Sequence, residues 1–292
     1  MFDNIIFYNH FGNGDIFESR EFVKEIISNV PASKCIYRHA KGEKFLRDIC
    51  NLNYEYLTME DNLCNPTGNS KVHGNDLYIN TWIGRDGRYV LPGIGCTVEK
   101  LFDMYNDMLQ GIYSLKYSCR EYIPTINYSF FNREESDNFA SQHEKLILIS
   151  NGPVQSMQAC NFDFAPIIRR VADTHKDKTF IITSNMEERP ENVFYTGEFI
   201  KQDGQPDLNE LSYLSTKCNM LIGRNSGPHV MSWVKENCFN RKMVNITFSY
   251  HADCHHFVHH TPIEMVKCWS PSEQDDEIFT VIDSTIGEYK WV

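Results

Sequence analysis

Three glycine-containing segments could hold reactive or phosphate-binding groups, and each of them follows a short apolar run. The first is His10–Asp15, in which two glycines separated by one residue precede an aspartate. The second is Ser150–Pro153 and the third is Gly223–His229. A glycine turn allows another molecule to approach the backbone closely, and free amides at the start of a helix favour anions. These segments are therefore the candidates for chemistry.

Asp15 is the candidate general base. It stands at the head of the helix predicted after the first segment, where the helix dipole and the free amides stabilise a carboxylate at neutral pH. An ionised carboxylate on a loop can accept a proton from an acceptor hydroxyl. Asp15 could equally serve only as a cap of that helix. The segment lacks the third glycine of a dinucleotide fingerprint, so NAD binding is not supported.

The third segment gathers the groups that a diphosphate needs. Ser226, Gly227 and His229 offer amides, a hydroxyl and an imidazole at the start of a predicted helix. Arg224 adds a permanent positive charge. The second segment has the same topological place in the second half of the chain as the first segment has in the first half, although an ordinary strand-to-helix turn explains it as well.

Two further groups of residues have alternative interpretations. Within His251–His260, five histidines, a cysteine and an aspartate could ligate a metal, but the pattern lacks the H-E-x-x-H spacing. We therefore predict no metal site there and expect a loop that lines an interdomain cleft. Trp82 and Arg85 could contact a sugar acceptor, or they could be a core tryptophan and a solvated arginine.

The composition excludes several classes of partner. The chain has 28 Lys+Arg against 39 Asp+Glu, a formal net charge of −11, which disfavours binding to nucleic acid or anionic lipid through broad basic patches. Its 10 cysteines include no C-x-x-C pair, which is typical of a reducing compartment. No signal peptide or apolar run of the ~20 residues that span a membrane is visible. A cytoplasmic protein is expected.

Short apolar runs alternate with segments of helical period, which predicts an α/β fold with parallel sheets. The predicted strands are Ile5–Tyr8, Lys34–Tyr37, Tyr54–Leu57, Asp76–Trp82, Lys145–Ser150, Thr179–Thr183, Asn192–Thr196, Cys218–Ile222 and Met243–Phe248. Residues 118–144 are polar and end in charges, which indicates a linker and a domain boundary near residue 140. We expect an N-terminal Rossmann-like domain over 1–140 and a second over 141–272. A terminal helix over 273–292 is expected to pack back on the N-terminal domain.

The stretch Asp207–Trp233, DLNELSYLSTKCNMLIGRNSGPHVMSW, resembles the donor-site signature of the heptosyltransferase-like (ADP-heptose:LPS transferase) group of GT-B glycosyltransferases. That signature has a leucine-patterned helix, a strand, a glycine, a short polar pair, Ser-Gly-Pro and a histidine. The loop Gly12–Asp15 is similar to the N-terminal Gly-Asp loop of the group. The resemblance implies a GT-B architecture, in which two Rossmann-like domains with parallel sheets face each other across a cleft.

The resemblance also implies a function and a set of site residues. The N-terminal domain would bind a glycan or other hydroxyl acceptor, and the C-terminal domain would bind a nucleotide-sugar donor. Asp15 would be the general base of an inverting transfer that needs no metal and no cofactor. The implied donor-binding residues are Asn151, Gly152, Gly197, Arg224, Asn225, Ser226, Gly227 and His229. The implied acceptor-binding residues are Asn13, Gly14, Trp82 and Arg85.

The chain departs from the group at two places. Asn225 stands where the group usually has Asp, and Val154–Ala165 contains no basic residue where the group usually has one. We therefore assign no heptose donor. A sugar-nucleotide epimerase of similar fold, a non-catalytic nucleotide-sugar or glycan-binding protein and a His-cluster metalloprotein remain alternatives.

Overall fold

A computed structural model describes residues 2–58, 60–66, 70–82, 102–103, 106–107, 110, 123–155, 159–200, 207–249, 264–268 and 275–291. The chain divides into two compact units. One contains Met1–Phe130 with Gly204–Pro206, and the other contains Phe131–Asp203 with Asp207–Val292. Within the described residues, none of the helices has the length and apolar character that a bilayer span requires.

The first unit is built on a five-stranded sheet of order β3-β2-β1-β5-β4. Its elements are β1 (Phe2–Tyr8), α1 (Asn13–Glu18), α2 (Arg20–Asn29), β2 (Ala32–His39), β3 (Leu52–Tyr56), β4 (Lys71–His73) and β5 (Asp76–Asn80). The strands run parallel except β4, which pairs antiparallel with β5. The turn between these two strands contains Gly74 at a φ of 61°, a conformation that costs glycine little. The antiparallel strand β4 is not among the strands predicted from the sequence.

The second unit is built on a six-stranded sheet of order β11-β10-β9-β6-β7-β8, and every pairing in it is parallel. Its strands are β6 (Leu146–Ser150), β7 (Thr179–Ile182), β8 (Val193–Tyr195), β9 (Met220–Arg224), β10 (Val244–Phe248) and β11 (Glu264–Cys268). Its helices include α3 (Glu134–Gln142), α4 (Phe164–Thr174), α5 (Leu208–Ser215), α6 (Gly227–Val230), α7 (Lys235–Cys238) and α8 (Asp275–Glu288). Every residue of β6, β9 and β10 is buried, as expected for central strands covered on both faces.

The terminal helix α8 packs within the second unit. Its buried residues Ile278, Ile282 and Ile286 join the same apolar core as residues of α4 and of the sheet. Arg170 and His175, near the end of α4, also pair with acidic side chains of α8. The apolar face of this helix is thus used within its own unit, and packing of the helix on the N-terminal domain stays a prediction.

The boundary between the units also lies earlier than residue 140. The charged stretch that resembled a linker forms α3, and its first turn contains three of the acidic residues. Phe139 of this helix stacks on Phe199, with ring centroids 4.3 Å apart, and Asp137 accepts a hydrogen bond from Tyr213 at 2.8 Å. The acidic residues thus form the polar face of a helix that belongs to the second unit.

Candidate functional site

In each sheet there are two neighbouring strands from which the chain continues toward opposite edges of the sheet. Ligands of open α/β sheets bind beyond the carboxyl ends of the strands at such a reversal point. In the first unit the reversal lies between β1 and β5. The Thr81 amide, just after β5, donates to the carbonyl of Tyr8 at 3.0 Å, and Phe11 stacks on Trp82 with ring centroids 4.1 Å apart. The structure therefore brings the predicted glycine loop and Trp82 together.

Asp15 is the third residue of α1, which begins at this reversal. Its Oδ2 accepts a hydrogen bond from the Gly12 amide at 3.1 Å. Burial raises the pKa of Asp15 from 3.8 to about 6, although the amides of Gly12 and Asp15 and the charge of Lys41 oppose the increase. At pH 7 roughly ten carboxylates are then ionised for each protonated one. The side chain thus helps to close the helix start and still has the proton affinity of a base.

Glu18, which the sequence interpretation missed, lies one helical turn after Asp15. It is 4% exposed, and burial together with the charge of Asp15 raises its pKa well above the ordinary value. Burial and the charge of Asp15 therefore favour the protonated form of Glu18. The sequence did contain a signal for Glu18, because two carboxylic acids three positions apart lie on one helix face.

The other predicted residues of the first unit have different positions. Asn13 and Gly14 lie on α1 beside Asp15, and the Asn13 Oδ1 atom is buried without a hydrogen-bond partner among the described residues. Arg85 lies outside the described residues. Beneath the loop, the Tyr37 hydroxyl contacts the Thr81 Oγ1 atom at 2.5 Å, and burial raises the pKa of Tyr37 to about 12. The Tyr37 hydroxyl is therefore uncharged at neutral pH and supports the site through its contact with Thr81.

In the second unit the strand order reverses between β6 and β9. This reversal point is therefore flanked by two predicted segments, Asn151–Gly152 after β6 and Asn225–Ser226 after β9. Gly197 does not flank this point. It follows β8 at the edge of the sheet, and β7 lies between β8 and β6. A Cβ at Gly197 would lie 2.5 Å from the Tyr195 ring, so local packing accounts for this glycine. The contact of Gly197 with a donor stays a prediction.

Arg224 connects the two sides of this reversal point. Its Nη1 donates to the carbonyls of Asn151 at 3.0 Å and Gly152 at 2.9 Å. Its Nε donates to the carbonyl of Cys160 at 2.8 Å, and its Nη2 donates to that of Phe162. The residue is 2% exposed. The guanidinium of Arg224 is thus buried against backbone carbonyls, and its direct contact with a donor stays a prediction.

His229 is equally enclosed. It is 1% exposed, and its Nε2 lies 2.7 Å from the Thr247 Oγ1 atom and 3.1 Å from the Asn245 Oδ1 atom. Burial lowers the pKa of His229 to about 4, so the imidazole is neutral at physiological pH. A Cβ at Gly223 would lie 2.6 Å from the His229 Nδ1 atom. The ring thus binds β10, and its contact with a diphosphate stays a prediction.

The side chain of Asn151 has a structural role too. Its Oδ1 accepts hydrogen bonds from the amides of Thr183 at 3.1 Å and Ser184 at 2.8 Å, and its Nδ2 donates to the Ser184 carbonyl at 2.8 Å. These bonds join the loop after β6 to the loop after β7. The donor contact of Asn151 stays a prediction, and Gly152 in the same loop is partly exposed.

Asn225, Ser226 and Gly227 keep groups that a ligand could use. Asn225 is 1% exposed, and both polar atoms of its side chain lack a hydrogen-bond partner in the described part of the chain. Ser226 precedes α6 without a side-chain capping bond, and the first amides of a helix have no partner within it. A buried amide without a partner costs about 1–3 kcal/mol, so a polar ligand at Asn225 would recover that free energy.

The histidine cluster His251–His260 lies outside the described residues. Among those that the structure does describe, no group of three or more His, Cys, Asp and Glu side chains is placed to share a metal ion.

No protein-family model matches the chain. Among solved structures, it resembles the family 9 glycosyl transferase of Veillonella parvula, with 14% identity, a TM-score of 0.51 and coverage of 99% of this chain and 92% of that one. It also resembles the E. coli heptosyltransferase WaaC with ADP, with 8% identity, a TM-score of 0.57 and coverage of 98% and 100%. The E. coli ADP-heptose lps heptosyltransferase II matches with 10% identity, a TM-score of 0.57 and coverage of 98% and 99%. The α/β fold of the GT-B class is thus confirmed, and the chain has the fold of the heptosyltransferase structures that its sequence motifs resemble.

Proposed function

We propose that the protein is a glycosyltransferase that moves a sugar from a nucleotide-sugar donor to a hydroxyl of a glycan or similar acceptor. Its structural neighbours are glycosyltransferases, and one of them is a heptosyltransferase with ADP. Both reversal points have groups suited to this reaction. The second unit is the donor domain of the proposal, and the first is the acceptor domain.

The observation that carries the proposal is the position and the proton affinity of Asp15. Its carboxylate lies beyond the carboxyl end of β1, and burial raises its pKa to about 6. A general base works best with a pKa near the operating pH, because it must be ionised and still accept a proton. Capping a helix does not depend on a raised pKa, whereas accepting a proton near neutral pH does.

The reaction follows from these groups. Asp15 removes the proton of the acceptor hydroxyl, whose oxygen attacks the anomeric carbon, and the bond from that carbon to the diphosphate oxygen breaks with inversion. The charge of the departing diphosphate is stabilised by fixed amides, including those of Ser226 and Gly227, and no metal ion is required. Asn13, Gly14 and Trp82 contact the acceptor in this scheme, and Arg85 is a further candidate.

A panel of nucleotide sugars tests the proposal. We expect at least one member to raise the melting temperature of the protein and to be hydrolysed slowly without an acceptor. If no member of a broad panel is bound or hydrolysed, the proposal fails. Conversion of a donor to its stereoisomer without an acceptor would favour an epimerase, and binding without any turnover would favour a binding protein.

A further inference from the structure

The guanidinium of Arg224 donates hydrogen bonds to backbone carbonyls of two stretches of chain that meet beyond β6. Two of them belong to Asn151 and Gly152, and two belong to Cys160 and Phe162. The rings of Phe162 and Phe164 lie on the guanidinium, each centroid 4.4 Å from its central carbon. This packing and the hydrogen bonds fix the direction in which the carbonyls point.

The direction of a carbonyl decides the direction of the amide in the same peptide. In a trans peptide the C=O and N–H bonds point in opposite directions, and the described chain contains no cis peptide. The amides of Gly152 and Asn161, which follow the Asn151 and Cys160 carbonyls, therefore point away from Arg224. Neither amide has a hydrogen-bond partner among the residues that the structure describes.

Two further contacts join the two stretches of chain that carry the Gly152 and Asn161 amides. The side chain of Asn161 accepts a hydrogen bond from the Val154 amide at 2.7 Å and donates to the Val154 carbonyl at 3.0 Å, so the two stretches are clamped together. On the other side of the loop, the Ser184 Oγ atom would lie 3.0 Å from a Cβ at Gly152. This hydroxyl is a third donor beside the two amides.

We propose that Arg224 is a positioning residue that turns the Gly152 and Asn161 amides outward and so forms a cradle for a diphosphate. Outward amides with a permanent cation behind them favour an anion. The carboxylate of Asp163 caps α4 through the Ala165 amide, and its charge places the anion on the Gly152 side. The cradle takes over the role of the basic residue that is missing from Val154–Ala165.

The inference rests on the proposed function for the source of its ligand, but it can be tested separately. The probe is inorganic pyrophosphate, and its affinity for the full chain is measured by calorimetry. The wild type should bind it, and Arg224→Lys should bind ~10-fold more weakly, because one ammonium cannot hold carbonyls on both stretches. Ser184→Ala should lose about 3- to 10-fold, since it removes one donor and little packing.

The control is Arg170→Lys, because Arg170 is an exposed arginine that pairs with Asp276 of α8. It should bind pyrophosphate as the wild type does. For donor hydrolysis, Arg224→Lys should raise KM more than it lowers kcat, since the cradle acts on the bound diphosphate. A purely structural role would lower the melting temperature and leave the pyrophosphate affinity of the folded protein unchanged.

The outcomes separate the cradle from the proposed function. Unchanged pyrophosphate affinity in folded Arg224→Lys overturns the inference. If that variant does not fold, Ser184→Ala decides, and wild-type affinity there overturns it. A wild type that hydrolyses a nucleotide sugar but does not bind pyrophosphate at millimolar concentration also overturns the cradle and leaves the glycosyltransferase proposal intact.

Discussion

The Asp15 carboxylate is subject to two opposing influences at the start of α1. Burial raises its pKa, while the amides of Gly12 and Asp15 and the charge of Lys41 lower it. The sequence predicted a base at this position from the glycine loop and the helix start. It could not predict the raised pKa, because the burial arises from residues distant in the chain.

We expect the dependence of kcat/KM on pH to reveal this carboxylate. Activity should rise with pH through about 6 and stay level above it, since the base must be ionised. Asp15→Asn should lose at least ~100-fold and show no such rise. Glu18→Gln is the control, because the raised pKa of Glu18 favours its neutral form, which glutamine resembles. A wild-type profile that is flat between pH 5 and 8 would speak against the assignment.

The same carboxylate should reduce the stability of the fold. Burial raises the pKa of Asp15 from 3.8 to about 6, so the folded state holds a proton that the unfolded chain has already released. The free energy of unfolding therefore falls as the pH rises from about 4 to about 6 and is level above that range. Asp15→Asn should be more stable than the wild type by about 1–2 kcal/mol at pH 8.

Urea unfolding at several pH values measures this difference. The gain from Asp15→Asn should shrink below pH 4, where the wild-type side chain is protonated in both states. A variant that is less stable than the wild type at pH 8 would mean that the hydrogen bond to Gly12 outweighs the cost of burial.

Gly223 has a different role from the one its motif suggested. The sequence placed it beside a phosphate, whereas the structure places it against the His229 ring and Ser150. Gly223→Ala should lose about 1–3 kcal/mol of stability through overlap with these side chains. Gly287→Ala, at an exposed helical site with nothing within 4 Å, should gain up to about 1 kcal/mol. Thermal unfolding of both variants checks the contrast, and equal stabilities would contradict it.

At the scale of elements, the apolar runs were sufficient to predict most strands. Thr179–Ile182 is a continuous run of apolar or β-branched residues, and Val244–Phe248 is such a run interrupted only by Asn245. Runs of this kind indicate buried parallel strands. The hairpin strand Lys71–His73 was missed because three residues are too few to show a period. The sequence also could not show what the terminal helix packs against, since an apolar stripe shows that a helix is buried but not against which surface.

The terminal helix offers a direct test of that packing. Ile282 is 1% exposed in the core of the second unit, and Ile282→Ala should lower the free energy of unfolding by about 2–4 kcal/mol. The exposed neighbour Ser284 is the control, and Ser284→Ala should change stability by less than about 0.5 kcal/mol. Chemical denaturation measures both. A loss at Ile282 no larger than that at Ser284 would contradict the packing of α8.

At the scale of the whole molecule, two α/β units have their candidate groups at corresponding places. Asp15 follows the first strand of one sheet, and Gly152 follows the first strand of the other. The sequence predicted both loops because glycines after apolar runs are visible in it. The burial of Arg224 and His229 was not visible, because their partners come from other strands and loops. The sequence alone therefore does not show how far these two side chains are enclosed.

The central claim is that the second unit binds a nucleotide sugar and that Asp15 activates the acceptor. The most direct measurement compares wild type and Asp15→Asn with one donor identified from the panel, recording both the donor Kd and the rate of sugar transfer. The account predicts an unchanged Kd, within about twofold, and a transfer rate at least ~100-fold lower in the variant. Transfer at the wild-type rate by Asp15→Asn would contradict it.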